Sequence, residues 1–356
     1  MRNGAAPEVG ERFVCEGQAD TLTRIAQSKG DDFYHGELAA AIAAHARATG
    51  GVLSEADLAA HRTDWVDPIS TRYRDAELFE IGPNGQGIGA LMALGILDQF
   101  DLAGMGADSP QAVHLQLEAM KLAFADLHEH VADPEFMKVT HDHLLDPAYL
   151  RSRAQLIDPA RASAPRHGDP HSGGTVYLTA ADQNGMMVSF IQSNFKGFGS
   201  GVVVPKRGIA LQNRGWGFST RADHPNVIAP GKRPFHTIIP GFLMRGGQPL
   251  MSFGVMGGAM QAQGHVQMTS RIVDFGMNPQ AASDAPRWRV KDDNTRIAVE
   301  SHFPEKTVAA LREMGHDVEV APRADLEFGS AQLAMRAAQG YVAASDSRKD
   351  GCAIGY

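Results

Sequence analysis

What most constrains this chain is a change of pattern near its middle. Before Asp158 the apolar residues recur at helical spacing, and from Thr175 onward they fall in short runs separated by glycine-bearing turns. Between the two lies Asp158 to Gly174, rich in Pro, Ala, Ser, Arg and His and without periodicity, which reads as an exposed linker. The run Gly173-Gly174-Thr175-Val176-Tyr177 closes the linker and opens a strand. This is the context expected of a precursor that cuts itself between Gly174 and Thr175. The cut would make Thr175 a new N-terminus, with a nucleophilic hydroxyl and its own free amine as base.

Upstream, Thr21 to Ala26 and Phe33 through Ala48 read as helical, the second stopping at Gly50-Gly51. Ser54-Glu55-Ala56-Asp57 has the form of a capping box with Asp in place of Glu. Arg72 to Ile81 is a short strand candidate, and Pro83 to Gly87 is a loop that opens a helix through Ile96. A long helix follows Ser109-Pro110, with Val113, Leu117, Met120 and Phe124 along one stripe. Downstream, Val176 to Ala181 and Met187 to Gln192 flank Asp182-Gln183-Asn184-Gly185 as a hairpin. Gly208 to Gln212 is another strand, and Phe235 to Leu243 and Pro249 to Val255 form a second hairpin about Arg245 to Gln248. Gly257-Gly258 leads into a helix from Ala259 to Phe275, Asn278-Pro279 starts a shorter one, and Pro304 to Met314 is helical. Asp317 to Val320, Ser330 to Met335 and Tyr341 to Ala344 read as strands. Segregated helices and antiparallel hairpins imply an α+β fold with helices layered over sheets. The organisation is then a helical part over 1–157, a linker over 158–174 and a strand-rich part over 175–356.

Composition narrows the partners. A chain of 356 residues can bury a large core as one big domain or two. Hydrophobic residues at 43%, charged residues at 21% and a net charge of −8 with both signs interspersed describe a globular protein, and the absence of a basic stripe argues against nucleic acid. Cys15 and Cys352 sit at opposite ends with no metal-ligand spacing, so two unpaired thiols are expected over the alternative of a single bridge between them. Met1 to Val14 lacks the apolar core of a signal peptide, and no apolar run approaches a membrane span. The expectation is a soluble cytoplasmic chain with no membrane partner.

The candidate site starts from Thr175. A terminal α-amine has a reference pKa of about 7.7–8.0, so a useful fraction is neutral at physiological pH. Attack on an amide creates a tetrahedral oxyanion, and each preorganised N–H donor to it is worth about 3–4 kcal/mol of barrier. Gly257-Gly258, two successive glycines at a strand-to-helix junction, suit that task; a plain turn before a helix suits the pair as well. Ser193, at the end of the strand pairing with that of Thr175, is placed to hold the threonine hydroxyl or amine, or else is structural. Arg214, followed by Gly215-Trp216-Gly217, suits a substrate carboxylate, against the plain alternative of a surface arginine. His236 and Thr237 either line the pocket or pack within a strand. His128-Glu129-His130 and His141-Asp142-His143 look metal-like, but residues two apart on a helix do not face each other, and solvated surface is expected. Gly197, Gly199 and Gly201 superficially resemble a phosphate loop, but no Lys-Ser/Thr follows. No Gly-x-Ser-x-Gly nucleophile elbow is present. The chemistry proposed for Thr175 needs no metal or organic cofactor.

In order and spacing, these stretches together resemble the γ-glutamyltransferase family of N-terminal-nucleophile hydrolases. The stretches are Thr175-Val176-Tyr177, Asp182-Gln183-Asn184-Gly185, Phe198-Gly199-Ser200-Gly201, Gly208-Ile209-Ala210-Leu211, Pro230-Gly231-Lys232-Arg233-Pro234, Gly254-Val255-Met256-Gly257-Gly258, Ala285-Pro286-Arg287, Ser345 through Gly351, and Gly355-Tyr356. Upstream, Leu53 through Leu58 and Asn84-Gly85-Gln86-Gly87 belong to the same pattern. The resemblance implies an αββα sandwich, self-cleavage before Thr175 into a heterodimer, and transfer of an acyl group from a small amide to water or an amine. It implies Thr175 as nucleophile, Ser193 as its supporting hydroxyl and Gly257 and Gly258 as the oxyanion-hole glycines. His236 and Thr237 stand where typical members carry two serines on the substrate. Typical members also carry an acidic pair in the loop from Gln212 to Phe218, on the α-amine of a γ-glutamyl group. Here Trp216 and Gly217 occupy those places, and Arg214 is cationic. A cation repels an α-ammonium and attracts a carboxylate, so the chain resembles the divergent acylase and small-amide hydrolase branch, taking a γ-glutamyl or related carboxylated acyl group. Met1 aligns inside the large-subunit region, and the preceding family segment supplies core strands and an arginine that clamps the substrate carboxylate. The alternative expectation is therefore an inactive fragment, or half of a split enzyme that binds a missing N-terminal partner chain.

Overall fold

Local chemistry sets the boundaries of the elements in the computed structural model, which describes residues 5–165, 174–322 and 325–356. The chain forms two compact units, Met1–Trp65 with Phe198–Asn213, and Val66–Gly197 with Arg214–Tyr356. The last part of the expected linker, 166–173, lies outside the described residues.

The first unit holds helices Glu16–Ser28, Asp31–His35, Glu37–Ala48 and Glu55–Ala60. The single helix expected over Phe33 to Ala48 is broken at Gly36, because the Asp32 carboxylate accepts the Glu37 N–H at 2.8 Å and starts a new helix there. The capping box is present in full: Asp57 N–H donates to Ser54 Oγ and Ser54 N–H to Asp57 Oδ2. The strand expected at Gly208 to Gln212 is shorter, Ile209–Ala210, paired antiparallel with Val203–Val204.

The second unit is built on a six-stranded antiparallel sheet. Its strands, with the separate hairpin numbered in chain order, are β1 (Ile69–Tyr73), β2 (Ala76–Glu80), β3 (Gly174–Ala181), β4 (Met187–Phe195), β5 (Gly241–Arg245), β6 (Gln248–Met256), β7 (Ser330–Arg336) and β8 (Tyr341–Ser345). The sheet runs β1-β2-β5-β6-β7-β8, and β3 pairs with β4 in a sheet of two. Where one strand was expected from Arg72, the chain makes the β1–β2 hairpin. Its turn, Arg74-Asp75, has no glycine or asparagine to signal it. Arg74 takes φ 56° because its guanidinium is held by Asp274 Oδ1 at 2.9 Å and Asp98 O at 2.9 Å.

Alternation along β6 divides the layers. Phe253 and Val255 face helix α3 (Met260–Val273): His265 lies 4.7 Å from the Phe253 ring, and a side chain at Gly264 would strike Val255. Helices α1 (Gly87–Leu97) and α2 (Pro110–His130) complete the helical layer of this unit's core. Every residue of α1 is buried, as its unbroken apolar sequence requires. Ser109 caps α2, accepting the Ala112 N–H. Ser252 and Gly254 face the other way, toward β3–β4. The Tyr177 ring occupies the space over Gly254, where a Cβ would come within 2.4 Å of it, and Thr179 and Ser252 share a hydrogen bond. The unit therefore stacks helices, a large sheet and a hairpin, an α+β arrangement. Trp288–Val290, Ile297–Val299 and Val318–Val320 form a further three-stranded sheet. Among the described residues, no helix is long and apolar enough to cross a membrane.

Candidate active site

The β3–β4 ladder is regular from Val176 to Ala181 but slips at its start, where Gly174 pairs with Phe195 and the register shifts before Val176. Thr175 sits in that irregularity, outside the regular pairing. Its Oγ1 donates to Ser193 Oγ at 3.1 Å. Ser193 Oγ also accepts the Phe195 N–H at 2.8 Å. Phe195 adopts φ 78°, a left-handed conformation costly for an aromatic residue, so the local fold holds the turn beside Ser193 against its own preference.

Arg214 lies near by. Its guanidinium carbon is 4.9 Å from the centroid of the Phe195 ring, and Nη1 donates to Thr237 Oγ1 at 3.2 Å. The side chain is buried, not the surface arginine of the plain alternative; burial pushes its pKa down to about 10, still well above neutrality. Trp216 is exposed and carries Lys196 Nζ 4.4 Å from its ring centroid. A Cβ at Gly217 would lie 2.1 Å from Phe235 O, so no acidic side chain fits that position on this backbone.

His236 and Thr237 are tied into the loop before α1. Asn84 O accepts the His236 N–H at 3.1 Å, and His236 O accepts the Gln86 N–H at 3.0 Å. Burial, and secondarily the charge of Arg214, push His236 down to about 4, so it is neutral at physiological pH. Thr237 is buried, with its hydroxyl on Arg214 and its carbonyl accepting from Gln86 Nε2 at 2.7 Å.

Gly257 and Gly258 stand where β6 gives way to α3, at φ 122° and 63°, conformations that favour glycine. Gly257 O accepts the Met260 N–H at 3.1 Å, in the first turn of α3. The planar trans peptide joining the two glycines therefore points the Gly258 N–H the opposite way, off the helix. Gly258 O is fixed by Gln261 N–H at 3.1 Å and by Gln86 Nε2 at 2.8 Å. One buried amide, Gln86, thus fastens both Thr237 and Gly258. In the sequence Gln86 stands out only as part of Asn84-Gly85-Gln86-Gly87; its signal is a polar residue leading an entirely apolar helix, which must find buried partners.

The other candidates lie apart. His128, Glu129 and His130 are half-buried, not fully solvated: His128 stacks on Phe124 at 5.4 Å and Glu129 pairs with Arg221 at 3.1 Å. His141 is half-buried, while Asp142 and His143 are exposed. Cys15 and Cys352 are free and exposed.

The sequence model of the family described as Gamma-glutamyltranspeptidase matches residues 1–356, the whole chain. The chain belongs to the gamma-glutamyltranspeptidase family. It is 36% identical to the glutathione hydrolase-like YwrD proenzyme of Bacillus subtilis (strain 168), across 99% of this chain and 68% of the relative. It is 37% identical to the oxamate amidohydrolase proenzyme of Klebsiella pneumoniae subsp. pneumoniae, across 99% of this chain and 67% of the relative. Among solved structures it is similar to the cephalosporin acylase of Bacillus halodurans, with a TM-score of 0.94 and 46% identity over 100% of this chain and 66% of that one. The fold is that of the N-terminal-nucleophile hydrolases of this family. The chain spans about two thirds of the length of these relatives.

Proposed function

We propose that this member of the gamma-glutamyltranspeptidase family is a self-cleaving amide hydrolase or acyltransferase that uses Thr175 twice. The observation that carries the reading is Thr175 Oγ1 on Ser193 Oγ at 3.1 Å, at a slip in the ladder beside Gly174. In the first stage Oγ1 attacks the Gly174 carbonyl carbon, its proton passes to the Thr175 nitrogen as the Gly174–Thr175 C–N bond breaks, and an ester forms on Oγ1. Water hydrolyses that ester and leaves Thr175 with a free amine. In the second stage the amine takes the Oγ1 proton as Oγ1 attacks a substrate amide. The oxyanion lies at the Gly257-Gly258 turn, the leaving amine departs with the proton, and the acyl group stays on Oγ1 as an ester. Water or an acceptor amine then removes it.

Arg214 defines the acyl group. A buried guanidinium beside Thr237 favours an acyl chain carrying a carboxylate, and Gly217 leaves no room for an acidic partner to an α-ammonium. Glutaryl and oxamyl amides are therefore preferred over γ-glutamyl amides. Similarity to an oxamate amidohydrolase supports the choice of the oxamyl amide. The test is expression of the chain, a denaturing gel and N-terminal sequencing, followed by assays with the three amides. A new N-terminus at Thr175, absent in Thr175→Ala, is expected. A chain that stays whole, or turnover that survives Thr175→Ala, refutes the reading.

A second reading is half of a split enzyme, inactive until a partner chain covers it. One observation favours it. The outward side of β3–β4 leaves Val176, Leu178, Val188 and Phe190 between 43% and 59% exposed. Beside it, Phe79, Ile81, Pro240, Phe242 and Met244 line an apolar groove of about 330 Å³. Among the described residues β3 and β4 pair only with each other. On this reading the isolated chain associates in sedimentation velocity and stays uncut; a monomeric, self-cut and active chain excludes it.

A further inference from the structure

Away from Thr175, α2 carries His114, Glu118 and Lys121 a turn apart on one stripe, and none of them is more than 1% exposed. His316, in the bend before strand Val318–Val320, joins them from the far side. The ligand atoms of His114, Glu118 and His316 lie within 4.8 Å of one another, close enough for a metal ion. The cation at this place is the chain's own: Lys121 Nζ donates to Glu118 Oε1 at 2.8 Å, to Ser163 O at 3.1 Å and to His316 Nδ1 at 3.4 Å.

The hydrogens run in one direction. An ammonium only donates, so His316 Nδ1 accepts. Burial, then the charge of Lys121 and the presence of His114, hold His316 down to about 3, so the ring is neutral and its hydrogen is on Nε2. That N–H donates to His114 Nδ1 at 2.8 Å, and His114 Nε2–H donates to Asp158 O at 2.8 Å. On the other branch, Glu118 Oε2 accepts the Ser163 N–H at 2.9 Å and the Ser163 hydroxyl. Ala162 N–H reaches Met314 O at 2.7 Å. All three ammonium hydrogens and both carboxylate oxygens are therefore used.

The network ends on the chain that leads into the run ending at Gly174: His114 on Asp158, and both Lys121 and Glu118 on Ser163. Buried ions add little net stability over apolar packing, so what this arrangement supplies is location. Holding Ser163 fixes the chain upstream of the Gly174–Thr175 peptide, so fewer orientations of that peptide compete with the one in which Oγ1 meets its carbonyl carbon. We propose that Lys121, His316, His114 and Glu118 are positioning residues for self-cleavage, a clamp on the upstream arm of the cut segment. The proposal rests on the reading that the chain cuts itself before Thr175.

The test uses the full chain, made by cell-free synthesis and followed by time-resolved gels. His316→Leu and Lys121→Met break the network. His316→Gln restores an N–H donor, and Ser163→Ala removes one hydroxyl donor to Glu118 while keeping the Ser163 N–H bond to it. The clamp predicts cutting slowed about ten- to a hundredfold in His316→Leu and Lys121→Met. Partial recovery is expected in His316→Gln and an intermediate loss in Ser163→Ala. Turnover per cut molecule is unchanged, and hydrogen exchange at Ala162 and Ser163 quickens. Cutting at the wild-type rate despite faster exchange overturns the clamp. So does a parallel fall of cutting and per-molecule turnover, which is the mark of a merely structural network. An uncut wild-type chain refutes the underlying reading instead, and exchange at Ala162 and Ser163 then decides alone whether the network holds the arm.

Discussion

Ser193 Oγ receives the Thr175 hydroxyl and the Phe195 N–H together, so its removal leaves both without that acceptor. A hydrogen bond of this kind is worth about 1–3 kcal/mol when a partner is left unsatisfied. Ser193→Ala is therefore expected to slow self-cleavage by about tenfold or more, with Ser193→Thr nearer the wild type; gel densitometry reads both. An unchanged rate in Ser193→Ala removes its supporting role. Arg214→Leu is expected to raise KM for a glutaryl amide by about ten- to a hundredfold, the worth of one charge-assisted hydrogen bond. KM for a neutral acetyl amide should not move, and an equal rise for both amides counts against a carboxylate site. The α-amine must be neutral to accept a proton, so kcat of the cut enzyme should fall below its pKa of about 7.7–8.0. The uncut chain has no such amine, and its cleavage should lack that limb.

At the scale of elements, the hairpin and the sheet meet through one close contact. Tyr177 lies over Gly254, where a methyl group would stand 2.4 Å from the ring. Gly254→Ala must push the ring or the whole β3–β4 hairpin outward, and overpacking of this kind costs about 1–3 kcal/mol. Thermal unfolding should show a Tm lower by several degrees; an unchanged Tm would mean that the hairpin shifts freely. The C-terminal Ser345-Asp346-Ser347-Arg348 motif has a structural job that its sequence did not reveal. Asp346 Oδ2 receives Arg287 Nη2 at 2.5 Å, the Ala331 N–H at 2.6 Å and the Ser283 hydroxyl at 3.2 Å, all in the interior. Burial pushes this carboxylate up, yet Arg287, the Ala331 amide and Arg348 outweigh it, and the net shift is downward. Asp346→Ala leaves Arg287 charged and buried, so a loss of about 3–5 kcal/mol is expected in urea unfolding. A small loss would show that water reaches the guanidinium.

For the whole molecule, the two neutral histidines give stability a definite pH dependence. His316 is held at about 3 and His236 at about 4 by burial, while the unfolded chain takes up these protons near pH 6.5. Between those values the unfolded state binds protons that the folded state refuses. This contribution is fully present above about pH 6.5 and is lost progressively as pH falls toward 4 and then 3. Tm measured from pH 7 to 4 should decline, and His316→Leu should flatten part of the slope. A slope untouched by that change would assign the acid sensitivity elsewhere.

The local alphabet was readable because its signals are short-range. Asp182 to Gly185 turns the β3–β4 hairpin, Ser109 and Asn278 cap their helices, and Ser54 with Asp57 makes a capping box, all through bonds spanning a few residues. Thr175 and Ser193 were likewise legible as neighbours, since a hairpin with a known turn fixes which residues face each other. The β1–β2 turn escaped because Arg74 is held at positive φ by Asp98 and Asp274, far away in sequence. Gln86, bridging Thr237 and Gly258, escaped for the same reason. So did the network that ties α2 and His316 to Asp158 and Ser163. Periodicity and turn chemistry decide what each segment becomes and which residues a hairpin sets side by side. Which buried polar groups satisfy one another is decided only when distant segments pack, because a desolvated donor takes whatever acceptor the closed core brings within reach.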